Sequence, residues 1–226
     1  KIEYTNEIDW GKNTWRQATG KPMNSNFTYV FDHFVANQAE ADALNTLGIQ
    51  GSFGKLIPGD VVYKDMNGDK VIDDKDRAAQ GYPRCPEIMF GIPMGFSYKG
   101  FDFSILFQGA TNSSILLNGA AVYDFPNFHN DKMGKGKPMH LQRWTPETAE
   151  NAKYPALHLG THNNNKNAHS SLFLYDASYV RLKNIEIGYS LPYQLIKVAI
   201  LHQVRFYIQG QILLTWDKLG DVDVDP

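Results

Sequence analysis

With 226 residues the chain is long enough for an ordinary domain, and its 22 basic residues against 24 acidic ones leave a formal net charge of −2. Basic residues are scattered rather than gathered into a stripe with interleaved aromatics, which excludes the electrostatic footprint of a nucleic-acid binder. No run of about 18 apolar residues occurs, so no transmembrane helix is expected, a criterion blind to membrane barrels because their strands alternate apolar and polar side chains.

Glycine (19), tyrosine (12) and phenylalanine (13) are plentiful and good helix-forming stretches are few, which points to an all-β chain. Cys85 is the single cysteine, so no intramolecular disulfide can form. Lys1–Trp10 lacks the apolar core of a signal peptide, and an N-terminal part is expected to lie outside this chain. In chain order, Asn37–Leu47 predicts a short helix that Gly48 is placed to end. Pro58–Cys85, rich in Asp, Gly and Lys, reads as a loop.

From Met89 the pattern changes. Phe90, Ile92, Met94, Phe96 and Tyr98 fall on one face of an extended chain, with Gly91, Pro93, Gly95 and Ser97 on the other. Lys99-Gly100 is a tight turn, after which Phe101, Phe103, Ile105 and Phe107 alternate with Asp102, Ser104 and Gln108. Each arm approaches the ~9–11 residues that a tilted strand needs to cross a bilayer. Pro93, lacking an N–H, is expected near a rim or bulge. Ala110–Ala177 reads as a long loop. The alternation returns in Asn184–Leu191 and in Val204–Ile212, where Val204, Phe206, Ile208 and Ile212 share a face.

Such strands suit a soluble β-sandwich or a membrane barrel. Heavily aromatic apolar faces, with Tyr near the strand ends, and one short turn set against one long connection favour the barrel. With Lys99-Gly100 on the periplasmic side, the strand from Val204 runs outward. A barrel of even strand number then needs at least one more strand, so the chain is expected to be a fragment lacking the closing strand.

The segments Pro58–Arg77, Gly95–Gly109, Arg143–Thr148, Asp176–Pro192 and Val204–Thr215, in this order, resemble the C-terminal third of SusC/RagA-family TonB-linked outer-membrane proteins of the Bacteroidetes type. Residues 21–47 resemble the preceding segment more loosely. The resemblance implies that residues 1–226 form the C-terminal part of a large transmembrane antiparallel β-barrel with long extracellular loops. The plug, signal peptide and TonB-contacting segment would lie outside the chain. It also implies an importer in the outer membrane of a Gram-negative bacterium, energised by the TonB complex. A SusD-type lipoprotein would act with it to take up glycan or peptide, and no enzyme activity is implied.

One local motif carries its own chemistry. Asp65, Asn67, Asp69, Asp73 and Asp76, with the Val71 carbonyl, place oxygens at alternate positions of a twelve-residue loop, as calcium loops of the EF-hand and dockerin type do. Lys70 stands where such loops have Gly, and Asp76 where EF-hands have a bidentate Glu. The opposing reading is an Asp/Asn/Gly turn bonding its own backbone. The second functional class that follows is a soluble, calcium-stabilised β-domain that binds carbohydrate, and exposure of Phe90, Phe96, Phe103 and Phe107 separates it from the barrel.

The other motifs carry no site. His158 and His162 have zincin spacing without its Glu and sit beside Gly160, and His129, His140 and His169 have no coherent spacing. Gly134–Pro138 lacks the context of a phosphate loop. Cys85 has no base placed for it, and Glu87, Asp102 and Glu186 form no glycosidase pair, so no catalytic residue is expected. Tyr123, Phe125, Phe128 and Trp144 are read as packing rather than sugar-stacking residues.

Overall fold

The computed structural model describes residues 1–48, 54–123, 136–157, 164–196, 202–220, 222 and 224–225. In chain order the elements are strands β1 (Asn26–Tyr29) and β2 (Phe31–Phe34), helix α1 (Gln38–Leu47), and strands β3 (Val61–Tyr63), β4 (Arg77–Gln80), β5 (Ile88–Tyr98) and β6 (Phe101–Thr111). Strands β7 (Ser114–Leu116), β8 (Leu174–Asp176) and β9 (Tyr179–Ser190), the single turn α2 (Tyr193–Ile196) and strand β10 (Arg205–Asp217) follow. The chain divides into two compact units, one of residues 1–85, 114–176 and 219–225, the other of 86–113 and 177–218.

The first unit is built from three two-stranded antiparallel pairs, β1–β4, β2–β3 and β7–β8. Its apolar side chains gather around Tyr29, Val61, Tyr63 and Ile72, around Val35, Ala41, Leu56 and Val62, and around Leu117, Val122, Met139, Tyr154 and Phe173. Helix α1 begins where expected: Asn37 Oδ1 accepts the Glu40 N–H at 3.0 Å, and Glu40 reaches back to accept the Ala36 N–H at 2.6 Å. It ends at Gly48, whose φ of 69° is the left-handed cap.

Two predicted loops are corrected here. Pro58–Cys85 contains β3 and β4, whose three or four residues are too few for the alternation to register in the sequence. Ala110–Ala177 is a folded segment in its described parts rather than an open loop. Asn164 and Asn165, both nearly inaccessible, serve β3 as a neighbouring strand would. Asn165 Oδ1 accepts the Val61 N–H at 2.9 Å, and Asn164 Nδ2 donates to the Val61 carbonyl at 2.9 Å. Asn165 also donates to Asp60 at 3.0 Å, and the Tyr63 hydroxyl donates to the Asn164 carbonyl at 2.8 Å. Buried backbone groups are satisfied by side-chain amides, which hydrophobic periodicity does not reveal.

The second unit is one four-stranded antiparallel sheet in the order β10-β9-β6-β5. Lys99 (φ 47°) and Gly100 (φ 90°) both sit at positive φ, the turn whose twist matches the β5–β6 hairpin. Strand β9 starts at Tyr179, well before the predicted Asn184, and β10 runs on to Asp217. Alternation in β10 is interrupted at Ile212, which adopts φ 50° where an extra residue relative to β9 enters between Gln211 and Leu214, but the even-numbered residues on either side keep the same face. Pro93 lies mid-strand rather than at a rim, on the outer strand β5, opposite Leu106.

Candidate functional site: a sheet with one apolar and one polar face

Register and alternation assign every residue of the sheet to a face. From the Lys99-Gly100 end, one face carries the rows Tyr98–Phe101–Tyr189–Phe206, Phe96–Phe103–Ile187–Ile208 and Met94–Ile105–Ile185–Gly210. Past the bulges it continues as Ile92–Phe107–Leu182–Leu214 and Phe90–Gly109–Val180–Trp216. The two glycines leave no holes: Leu213 lies over Gly210, and the Phe90 ring lies over Gly109, where a Cβ would stand 2.3 Å from its tip. Apolar side chains therefore run across the strands, and much of this face is exposed, Ile208 at 81%, Phe96 at 64% and Trp216 at 53%. Of the four phenylalanines expected to separate the two readings, Phe96 is exposed and Phe90, Phe103 and Phe107 are half-buried, and the opposite face of the sheet is open as well.

The other face is polar. It carries Ser97, Asp102, Ser104, Asn184, Glu186, Gln209 and Gln211, interrupted by Met89, Pro93, Leu106 and Tyr207. Arg205 ties it together, donating to both oxygens of Asp102, with Nε to Oδ1 at 3.1 Å, and to Glu186 Oε1 at 2.5 Å. Gly188 makes this possible. A Cβ there would fall 2.4 Å from the Arg205 guanidinium, so the ion pairs span three strands only because that position has no side chain. At ~3.3 Å per residue the 11 residues of β5 or β6 reach roughly 36 Å, and a tilt of ~45° brings this near the ~25 Å height of an outer-membrane apolar band.

No family model matches the chain. It is 30% identical over 75% of its length to TonB-dependent receptor P3 of Formosa agariphila, and 25% identical over 84% of its length to TonB-dependent receptor SusC of Bacteroides thetaiotaomicron. In each case it spans 16% of the relative's length. Its fold matches the RagAB peptide importer in the open-open state with a TM-score of 0.58 at 21% identity, covering 88% of this chain and 19% of that one. The chain belongs to the SusC/RagA family of TonB-dependent receptors.

In this SusC/RagA-family chain the loop expected to take calcium closes on itself. Asp65 accepts the N–H groups of Gly68 and Lys70, each at 2.7 Å, and Asp69 that of Val71 at 2.9 Å. Asn67 accepts the Asp69 N–H at 2.9 Å, and Asp73 that of Lys75 at 2.8 Å. Asp76, fully buried, accepts from Met66 and Asp73, each at 2.9 Å. Among the described residues no three His, Cys, Asp or Glu side chains are gathered in a metal-holding cluster. The sixth place of the loop is left-handed without a glycine there, since Lys70 itself adopts φ 67° two residues after Gly68 at φ 77°, and Ile72 anchors the loop in the core. Burial raises the Asp76 carboxyl above its ordinary range, whereas the Val71 N–H and Asn67 amide lower Asp69.

The remaining candidates are structural. The buried His140 ring accepts from the Lys137 N–H at Nδ1 (2.9 Å), which leaves Nε2 to donate to the Val122 carbonyl at 3.0 Å. His169 sits 3.3 Å from an Arg77 guanidinium nitrogen. His129, His158 and His162 lie outside the described residues, as do Phe125, Phe128 and Gly134-Lys135. Tyr123 packs edge-on against Phe173 at 6.0 Å, and Trp144 is buried over Gly59. Cys85 is exposed, with Asn24 Nδ2 at 3.5 Å from its sulfur. The functional feature that sequence reasoning missed is Arg205 with its two carboxylates. Its signal was a Gly at position 188 facing an Arg one strand away, visible only once register is known.

Proposed function

We propose that this chain supplies four membrane-crossing strands, and segments beyond their outer ends, to a TonB-dependent importer barrel in the outer membrane of a Bacteroidetes-type bacterium. The observation that carries this is the continuous apolar face left exposed on a sheet whose opposite face is polar and ion-paired. Lipid meets the first face and the water-filled or plugged lumen the second. The Lys99-Gly100 turn lies on the periplasmic side, and segments 1–85 and 114–176, joined to the opposite strand ends, lie outside the cell. The whole protein takes up a glycan or a peptide with a SusD-type lipoprotein, driven by the TonB complex, and performs no catalysis. The relatives' names and the likeness to the RagAB importer support this reading.

The test places lysine on each face of the full-length protein. Ile208→Lys faces hydrocarbon and is expected to cost about 2–4 kcal/mol and to lower the folded barrel recovered from the outer membrane, whereas the neighbouring Gln209→Lys faces the lumen and is tolerated. Equal recovery of the two variants would sink the assignment of faces.

The loop Asp65–Asp76 carries the calcium reading forward as a proposal, supported by its alternating oxygens and by the left-handed Lys70 at its sixth place. An ion would have to displace several of the backbone N–H groups now bonded to these carboxylates. Calorimetric titration is expected to give heats saturating at or below millimolar calcium that vanish in Asp65→Ala, and a flat titration removes the site.

A further inference from the structure

We infer that Asn118 is a self-modifying site, where the side-chain amide is lost as ammonia and an aspartyl or isoaspartyl residue remains. The sequence contains two Asn-Gly pairs, Asn67-Gly68 and Asn118-Gly119. In such a pair the glycine's backbone nitrogen can attack the asparagine side-chain carbonyl carbon, because glycine brings no Cβ to crowd the approach. The fold treats the two pairs differently. In the loop Asp65–Asp76 the Gly68 N–H donates to Asp65 Oδ1 at 2.7 Å. The Asn67 side chain is held at both ends, its Oδ1 accepting the Asp69 N–H at 2.9 Å and its Nδ2 donating to Asp69 Oδ2 at 2.9 Å. The nitrogen that would attack and the amide it would attack are both engaged.

Asn118, shortly after β7, is exposed and extended, at φ −151° and ψ 176°. Its side chain makes no capping hydrogen bond to the short helical turn Gly119–Ala121 that it precedes. Among the described residues the Gly119 N–H has no hydrogen-bond partner. The bonds made here use the carbonyls instead, Asn118's accepting the Ala121 N–H at 3.3 Å and Gly119's the Tyr123 N–H at 2.9 Å. Gly119 sits at φ 58°, and beyond its chain neighbours no atom comes within 4 Å of where its Cβ would stand, so nothing packs over the reacting groups. The step balances with water alone. The Gly119 nitrogen gives its proton to solvent and bonds to Asn118 Cγ, the Cγ–Nδ2 bond breaks, and the amide nitrogen takes up a proton and leaves as ammonia. Water then opens the cyclic imide at either carbonyl, giving aspartate or isoaspartate. Either product carries a negative charge, so the formal net charge of −2 becomes −3. Isoaspartate also routes the main chain through Cβ and lengthens it directly after Leu117, which is seated in one apolar cluster with Val122.

The experiment incubates the full-length protein at neutral and at mildly alkaline pH, folded and in denaturant, and follows each asparagine by peptide mapping with mass spectrometry. In the folded protein Asn118 is expected to react about tenfold faster than Asn67, the factor that a hydrogen bond to a charged acceptor withholds from the second pair. Its rate is expected to rise with pH, because the attacking nitrogen must first lose its proton. In denaturant the two pairs are expected to approach a common rate. Asn118→Gln is expected to remove the modification at that position and to leave Asn67 as it was. Asp65→Ala, which frees the Gly68 N–H, is expected to raise the rate at Asn67 toward that at Asn118. Equal rates at the two pairs in the folded protein overturn the inference. A difference that persists unchanged in denaturant overturns it too, since the cause would then lie in the neighbouring sequence and not in the fold.

Discussion

Gly59 shows how a single missing side chain can hold a unit together. Its φ is 86°, and an added Cβ would stand 2.5 Å from the Trp144 ring and 2.6 Å from the Ala156 methyl. Backbone strain and overpacking act together at this one position, so Gly59→Ala is expected to destabilise the first unit by about 2–4 kcal/mol. Thermal unfolding of the purified protein checks this, and a loss under about 0.5 kcal/mol, the range of an ordinary surface change, contradicts the contact. His169 gives a pH dependence. Packing around its ring, and then the Arg77 guanidinium, lower its protonation below the ordinary histidine range. The unfolded chain therefore binds the proton more readily, and stability falls as pH drops below about 6.5. His169→Gln is expected to flatten that part of the stability–pH curve. The effect is small because the ring is exposed and water screens it.

At the scale of elements, legibility followed length and periodicity. The hairpin β5–β6 was readable because two arms of 11 residues alternate strictly and meet in a Lys-Gly turn that accepts positive φ. Helix α1 was readable from Asn37 and Gly48, which satisfy the helix ends chemically. The short strands β3 and β4 were not, because three or four residues carry no measurable period and their partners lie far along the chain. Nor were the bulges, which depend on how two strands align rather than on either sequence. The bulge in β10 makes its own prediction. Its extra residue offsets the one that β9 gains between Asn184 and Leu182, so that Leu214 and Trp216 stay on the face of Phe206 and Ile208. Deleting Ile212 is expected to leave the strand from Arg205 to Gln211 in register but to turn Trp216 toward the polar face. Trp216 fluorescence would then be quenched less by brominated lipid, and unchanged quenching would refute the assignment of faces beyond the bulge.

At the scale of the whole molecule, the family could be identified from the wording of five ordered segments, and the candidate surface from alternation alone. The network of Arg205, Asp102 and Glu186 stayed hidden because its members are 19 to 103 residues apart and share only a sheet face. The buried amides of Asn164 and Asn165 stayed hidden for a related reason, since polar residues in the sequence read as solvated until their backbone partners are known. The outer strands of the sheet bear on biogenesis. Strands β5 and β10 pair on one side only among the described residues, and Pro93 brings one edge a position with no N–H at all. In hydrocarbon each unmatched backbone group costs several kcal/mol, so a row of them along an edge strand outweighs what the apolar face gains. On the membrane reading proposed above, the sheet then has no stable partially inserted state, would cross the bilayer only in concert with strands pairing its two edges, and would assemble in a single cooperative event.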